Sequence, residues 1–154
     1  MKKPDERNFK LTKLKQQKNG GLTVEWQQQL PTGDAVTTNK IKQTSNDIPH
    51  PDLTNVIKDL HVYANEILQT DVVLDVTGVA VSGEDENRGV LITCIMDSKA
   101  GLPISLNTHR VKIADEIYGW EAELDEKVDK LNTEAFEYIY NGKQAQLEMF
   151  DEQE

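Results

Sequence analysis

The chain has 154 residues, of which 37% are hydrophobic and 29% are charged, and its formal net charge is −10. This length allows one domain with a substantial core, since a chain of this size buries about 70% of its unfolded surface, and it excludes a second independent domain. The negative charge disfavours bulk attraction to nucleic acid, because phosphates are bound by lysine and arginine.

The pattern of apolar residues and cysteine predicts a cytoplasmic protein without membrane contact. No run of about 18 apolar residues predicts a membrane span, and residues 1–10 are too polar for the core of a signal peptide. The single cysteine, Cys94, has no second cysteine in the chain for a disulfide or a zinc pair. Such cysteine usage fits a reducing compartment.

The charge is unevenly distributed along the chain. Residues 1–20 contain seven Lys or Arg and two acids, whereas residues 113–154 contain thirteen acids and three Lys. The two regions either attract each other within the fold or form solvated faces. Alternatively, the basic region meets a phosphate backbone, such as single-stranded DNA, and the acidic region imitates one or meets a partner protein.

The first part of the chain has the pattern of antiparallel strands. Residues 1–7 are charged and are predicted to be disordered. Alternating apolar residues on both sides of the Asn19-Gly20-Gly21 turn predict a β-hairpin, with Leu22, Val24 and Trp26 on a buried face. Ala35 to Thr44 is predicted to be a third strand with a polar outer face.

The next segment changes to a helical period. Apolar residues recur at spacings of three and four between Asp52 and Gln69, which predicts a helix with one buried stripe. Pro51 near its first turn is compatible with a helix start, because the first amides need no partner within the helix. The negative charge of Asp52 is favourable there.

Strand patterns then return. Residues 72–82 are rich in valine, and Gly78 predicts a bulge within this strand. Residues 90–96 are nearly all apolar, which predicts a central strand covered on both faces with Cys94 buried. Residues 104–113 are predicted to form an edge strand and its exit loop.

A second helix is predicted from Asp125 to Tyr140, ended by Asn141-Gly142 in a left-handed cap. The order of elements, βββα-ββ(β)α, predicts an α+β fold: a two-layer sandwich of a mainly antiparallel sheet with two helices on one face. The predicted domain covers residues 8–142, and residues 143–154 form an acidic tail.

The sequence contains no convincing catalytic, cofactor or metal-binding pattern. The three histidines, His50, His61 and His109, lie in different predicted elements and lack ligand-like spacing. Cys94 lies within a strand, no serine lies in a nucleophile elbow, and no glycine-rich phosphate loop is present. We therefore predict no catalytic, cofactor or metal residues.

Two weaker patterns each have a functional and a structural interpretation. Asp97 precedes Lys99 by two residues and could meet Glu84 across strands as a nuclease-like carboxylate pair, although a solvated strand end is the simpler interpretation. The side chains of Trp26, Tyr63, His109 and Arg110 could offer stacking platforms for single-stranded nucleic acid. For Trp26 a core position is the simpler interpretation, because it alternates with apolar residues.

The tail carries the most specific motif. Gln146-Leu147-Glu148-Met149-Phe150 resembles the short peptide by which polymerases and mismatch-repair proteins bind the bacterial sliding clamp. The resemblance implies that Gln146 hydrogen-bonds in the clamp groove, that Leu147 and Glu148 fill the aliphatic and variable positions, and that Met149 with Phe150 enters the pocket. The remaining interpretations are a coincidental match or a tail that packs back onto the fold.

The body is similar to small uncharacterised proteins of tailed bacteriophages. The similarity is carried by Phe9-Lys10-Leu11-Thr12, His50-Pro51-Asp52-Leu53, the strand Val76–Val79 and Gly142–Gln146. It brings no activity with it, but it implies a protein that acts in a bacterial host.

These features give three functional hypotheses. The first is a non-enzymatic phage-type accessory protein of DNA replication, recombination or repair that docks on the host sliding clamp. The second is a phage inhibitor of a host protein that acts through its acidic surface. The third is an uncharacterised enzyme that acts on nucleic acid or nucleotides.

Overall fold

A computed structural model describes residues 4–32 and 35–145. It contains seven strands: β1 (Phe9–Gln16), β2 (Leu22–Thr32), β3 (Ala35–Ser45), β4 (Asp75–Ser82), β5 (Gly89–Asp97), β6 (Pro103–Asn107) and β7 (Val111–Lys112). The helices are α1 (Pro51–Asp59), α2 (His61–Leu68) and α3 (Glu121–Tyr140), and single 3-10 turns lie at Glu6–Asn8, Asp85–Asn87 and Ile113–Asp115.

The strands form one sheet in the order β3-β2-β1-β4-β5-β6, and every pairing is antiparallel. β7 continues the same edge as β6 and also pairs with β5. Between them, the Thr108 amide donates to the Ile92 carbonyl and the Thr108 hydroxyl accepts from the Ile92 amide, at 2.9 and 3.0 Å. The predicted α+β fold with a mainly antiparallel sheet is confirmed.

The core lies between the helices and one face of the sheet, which we call the inner face. Alternate residues of four strands are buried there: Phe9, Leu11, Leu14, Leu22, Val24, Trp26, Val76, Val79, Val81, Val90, Ile92 and Cys94. The helices cover them with the predicted apolar stripes, which include Val56, Ile57, Val128 and Leu131, and with Leu124, which precedes the predicted helix start. The predicted core positions of Trp26 and Cys94 are confirmed.

The first predicted helix is bent. α1 begins at Pro51, and the His50 side chain caps it by accepting a hydrogen bond from the Asp52 amide at 3.0 Å. Leu60 separates α1 from α2, and Gln69 ends α2 in the left-handed region. Because Leu53, Val56, Leu60 and Ala64 keep one apolar stripe across the bend, periodicity alone does not reveal it.

Two predicted strand features differ from the structure. β4 starts at Asp75 instead of residue 72, because the Asn65 amide group of α2 donates to the carbonyls of Thr70 and Val72, at 2.8 Å each, and holds this segment as a loop. β5 is covered on one face only, since Leu91 and Ile95 on its outer face are half-buried. The predicted bulge is confirmed as a register shift between Val76 and Gly78.

The last helix begins at Glu121, four residues before the predicted start. Its predicted end is confirmed, since Gly142 follows Tyr140 and Asn141 with a φ of 64°. The chain then returns to α1, where the Ala145 amide donates to the Ile48 carbonyl at 2.8 Å. Lys143 binds Asp52 and Glu134 there, both at 2.9 Å.

Candidate functional site

The outer face of β1, β2 and β3 carries lysines in cross-strand rows. Lys13 lies opposite Glu25, which lies opposite Lys42, and in the next row Gln27 lies between Lys10 and Lys40. Directly opposed side chains in a sheet are about 5 Å apart, so these rows form one continuous surface. We call Lys13, Lys15, Lys40 and Lys42 together the lysine face.

The four lysines of the lysine face are exposed. Within the described ranges, none of them has a carboxylate within 4.0 Å. Elsewhere in the described chain several cations are paired, as Arg88 is with Asp125 and Asp129, at 2.8 and 3.0 Å. An unpaired lysine keeps its positive potential, so the lysine face is a local positive field on an acidic protein.

A cleft opens beside the lysine face, where β1 and β4 separate. The two strands pair only where residues 13–15 meet residues 78–80, and a bulge in β1 at Thr12 directs its first half away from β4. The resulting cleft has a volume of about 900 Å³. Lys40 and Lys42 line it on the sheet side, and Asp129 and Asn132 line it on the helix side.

At this cleft, Asn132 of α3 binds the part of β1 that does not pair with β4. Its side-chain oxygen accepts from the Leu11 amide at 2.7 Å, and its side-chain nitrogen donates to the Phe9 carbonyl at 3.3 Å. The backbone of β1 therefore keeps hydrogen-bond partners where β4 is absent, as part-buried peptide groups require.

The far wall of the cleft is acidic. Lys10 and Glu84 bridge the cleft at 2.7 Å, and this hydrogen bond lowers the pKa of the Glu84 carboxyl. Asp85 and Asp129 lie on the same wall. The cleft thus has unpaired lysines at its sheet end, whereas Lys10 and Arg88 neutralise part of the acidic charge at its other end.

A second surface of distinct character lies at the other end of the molecule. His109, Tyr118, Trp120 and Tyr63 stack in one aromatic row, with successive ring centroids 6.3, 4.7 and 4.9 Å apart. The Trp120 ring nitrogen donates to Glu66, and the Tyr63 hydroxyl donates to Glu123 at 2.7 Å. Burial, together with this hydrogen bond, raises the pKa of Tyr63.

Buried Glu121 organises the loop that carries the aromatic row. Burial alone would raise its pKa, but nearby backbone N–H groups of residues 117–119 and of Glu121 itself favour the ionised carboxylate, and the net effect lowers the pKa. The Tyr118 amide donates to Oε2 at 3.0 Å, and Oε1 has no hydrogen-bond partner among the described residues. Ile117 beside it is 75% exposed, so the row is bordered by apolar surface as well as by acids.

The structure separates the residues of the weaker sequence patterns. Asp97 ends β5, whereas Glu84 follows the opposite end of the β4–β5 hairpin, about 25 Å of strand away. The two carboxylates therefore cannot form a pair. In the described part of the chain, no group of three His, Cys, Asp or Glu side chains could hold a metal ion.

The predicted stacking platform is also dispersed. Trp26 is buried, and Arg110 binds the β4–β5 turn through Ser82 and the Asn87 carbonyl. Tyr63 and His109 both belong to the aromatic row, but Tyr63 is buried. Cys94 is buried, and its burial and nearby Asp75 raise its pKa to about 11, which suits a core residue.

The sequence prediction missed Lys40 and Lys42. Their signal was the Lys-Ile-Lys alternation at residues 40–42, which places both lysines on the same face. It also missed the roles of Asn132 and Glu121, for which the sequence has no local signal.

The motif residues Gln146, Leu147, Glu148, Met149 and Phe150 lie outside the described residues. What the structure gives is the attachment just before them: Gln144 forms a bridge with Pro49, and the Ala145 amide binds the Ile48 carbonyl. The motif therefore begins at the residue after the last described contact with the fold.

Comparison with protein-family models, with curated proteins and with solved structures finds no match to this chain. Among the described helices, none is long and apolar enough to cross a membrane.

Proposed function

We propose that this chain is a non-enzymatic, phage-type accessory protein of DNA replication, recombination or repair. It docks on the sliding clamp of its bacterial host through residues 146–150. The complete five-residue match to the clamp-binding peptide carries this proposal. Support comes from its position, directly after the attachment of Ala145 to the surface beside Ile48.

The expected contact is weak and recruits the protein without fixing it permanently. Burial of Leu147, Met149 and Phe150 contributes roughly 1.5–3 kcal/mol per side chain. Association costs at least about 4 kcal/mol, so these three side chains leave at most about 5 kcal/mol, which corresponds to a dissociation constant of roughly 0.2 mM or weaker. The acidic residues Glu148 and Asp151 favour approach to a basic groove rim.

Calorimetric titration of the full chain into a purified bacterial sliding clamp tests this proposal. We expect the double variant Gln146→Ala, Phe150→Ala to bind at least 10-fold more weakly, and the matched variant Gln153→Ala to bind as the unmodified chain does. No binding by the unmodified chain, or equal binding by all three proteins, would overturn the proposal.

The second candidate function is inhibition of a host protein through the acidic helical side of the molecule. The aromatic row favours it, because tyrosine and tryptophan are enriched at binding hot spots. The two candidate functions predict different effects on the growth of a bacterial host that expresses the chain. If expression of the chain slows growth, and the double tail variant slows it equally, the inhibitor function is supported and the clamp function is not.

DNA contact through the basic N-terminal region is part of the first proposal. Two lysines of that region, Lys13 and Lys15, belong to the lysine face, whereas Arg7 and Lys10 are paired with Asp5 and Glu84.

A further inference from the structure

We infer that the outer face of β1, β2 and β3 binds the phosphate backbone of double-stranded DNA. The inference deepens the proposed function and rests on it for the DNA-related role. The surface itself is defined by described residues, including Lys40 and Lys42 of β3, which lie outside the basic N-terminal region.

Charge complementarity is the first support. The lysine face provides four exposed lysines without a carboxylate in ion-pair distance, and Glu25 is the one acid in their cross-strand rows. Alternate residues of a strand are about 7 Å apart and neighbouring strands about 5 Å apart, so the lysines form a grid. Duplex DNA carries one negative charge per about 1.7 Å of its axis and therefore presents several phosphates to such a grid.

The lack of stacking groups favours duplex DNA over a single strand. Proteins that hold single strands add aromatic side chains on which the bases stack. On the described outer face of β1–β3 no aromatic ring is present, because Phe9 and Trp26 face the core. A surface that offers charge alone suits the closely spaced phosphates of a duplex.

The shape of the sheet provides an independent support. β1 pairs with β2 only as far as Gln28, so residues 29–32 and 35–38 extend beyond the sheet as a two-stranded arm. Its two strands lie about 5 Å apart. The major groove of B-DNA is about 12 Å wide and admits a two-stranded ribbon. Lys40 follows the arm at its base, next to the lysine face.

The acidic wall of the cleft limits the footprint. Glu84 and Asp129 are paired with Lys10 and Arg88 there. Asp85 on the same wall has no cation within 4.0 Å among the described residues, so it repels phosphates at the β4 side and the duplex lies towards β3. Four lysine contacts predict a dissociation constant of about 10⁻⁴ to 10⁻⁶ M, as for sequence-independent binding. They also predict that the logarithm of the binding constant falls with the logarithm of salt concentration with a slope of about −3.6.

Fluorescence anisotropy with a labelled 30-base-pair duplex, measured over a salt series, tests the inference on the full chain. We expect the double variant Lys13→Glu, Lys42→Glu to bind at least 10-fold more weakly. The matched control Lys58→Glu, Lys130→Glu carries the same charge change on exposed helical residues and is expected to bind within about 2-fold of the unmodified chain. Circular dichroism and a urea transition show that each variant folds.

Several results would overturn the inference: no duplex binding by the unmodified chain, equal loss in both double variants, or tighter binding of a single-stranded 30-mer with the same lysine dependence. A change of oligomeric state in the lysine-face variant alone, measured by sedimentation, would instead assign the surface to a second copy of the chain. The clamp-motif variant Gln146→Ala, Phe150→Ala is expected to bind DNA normally, so failure of the clamp proposal and failure of this inference are distinguishable.

Discussion

The two layers of this molecule both carry many charges but use them differently. On the helical layer, several charged groups have partners: Arg88 binds two aspartates, Lys143 binds Asp52 and Glu134, and the buried Glu121 carboxylate accepts from the Tyr118 amide. On the lysine face, the described side chains have no carboxylate in ion-pair distance. Paired charges hold structure together, whereas clustered unpaired charges of one sign remain available to a partner.

The largest effect is expected at Glu121 on the helical layer. Glu121→Ala removes the buried acceptor of the Tyr118 amide and its neighbours, and unsatisfied buried groups cost about 2 kcal/mol or more. We expect the free energy of unfolding in urea to fall by that amount. The near-ultraviolet circular dichroism of the aromatic row should weaken as well. The matched change Glu126→Ala, at an exposed position of the same helix, is expected to stay within about 0.5 kcal/mol.

Measuring the free energy of unfolding over a pH series shows whether the negative charge of Glu121 causes the effect. The folded pKa of Glu121 lies below its ordinary value of 4.5. The contribution of Glu121 to the free energy of unfolding is therefore fully present above the pKa that Glu121 has in the unfolded chain. It is lost as the pH falls through the lower pKa of the folded protein. The difference in stability between the unmodified chain and Glu121→Gln should shrink as the pH is lowered from 7 into that range. A difference independent of pH would show that the negative charge is unimportant.

The next effect concerns Asn132, the link between the layers. Asn132→Leu keeps the branching and the number of side-chain heavy atoms but leaves the Leu11 amide without its acceptor. A part-buried unsatisfied amide costs about 1–2 kcal/mol, so the urea midpoint should fall accordingly. The exposed neighbour Lys130→Leu is the control. Hydrogen exchange at the Leu11 amide should accelerate in the first variant only, and unchanged exchange would mean that β1 does not depend on this contact.

The same contrast explains what the sequence could predict. Alternation at Leu22, Val24 and Trp26, and the stripes at Val128 and Leu131, are local periodic patterns, and the corresponding strands and helix are confirmed. Predicting the lysine face would have required knowledge of which strands pair and in which register. Residues 13 and 42 are far apart in sequence, and only the register of β1 with β2 and of β2 with β3 places them in one row.

Hydrogen bonds from single polar side chains to the backbone account for the errors in the predicted boundaries. The Asn65 side chain prevents Val72 from joining β4, and Glu121 allows α3 to begin four residues early. Neither contact has a periodic signal, because one polar side chain meeting a distant or adjacent backbone group leaves the apolar pattern unchanged. The same holds for Asn132, whose neighbours on α3 have an ordinary helical pattern.

The smallest expected effect is on the lysine face. The double variant Lys13→Thr, Lys42→Thr removes two cross-strand partners of Glu25, and opposed charges in a sheet contribute about 0.2–1 kcal/mol per pair. Threonine has the higher strand propensity and offsets part of that loss. We therefore expect the free energy of unfolding to change by less than about 0.5 kcal/mol at both low and high salt. A loss above about 1 kcal/mol that disappears in high salt would mean that these lysines stabilise the sheet electrostatically. They would then resemble the charges of the helical layer, and their availability to a partner would no longer follow from their exposure.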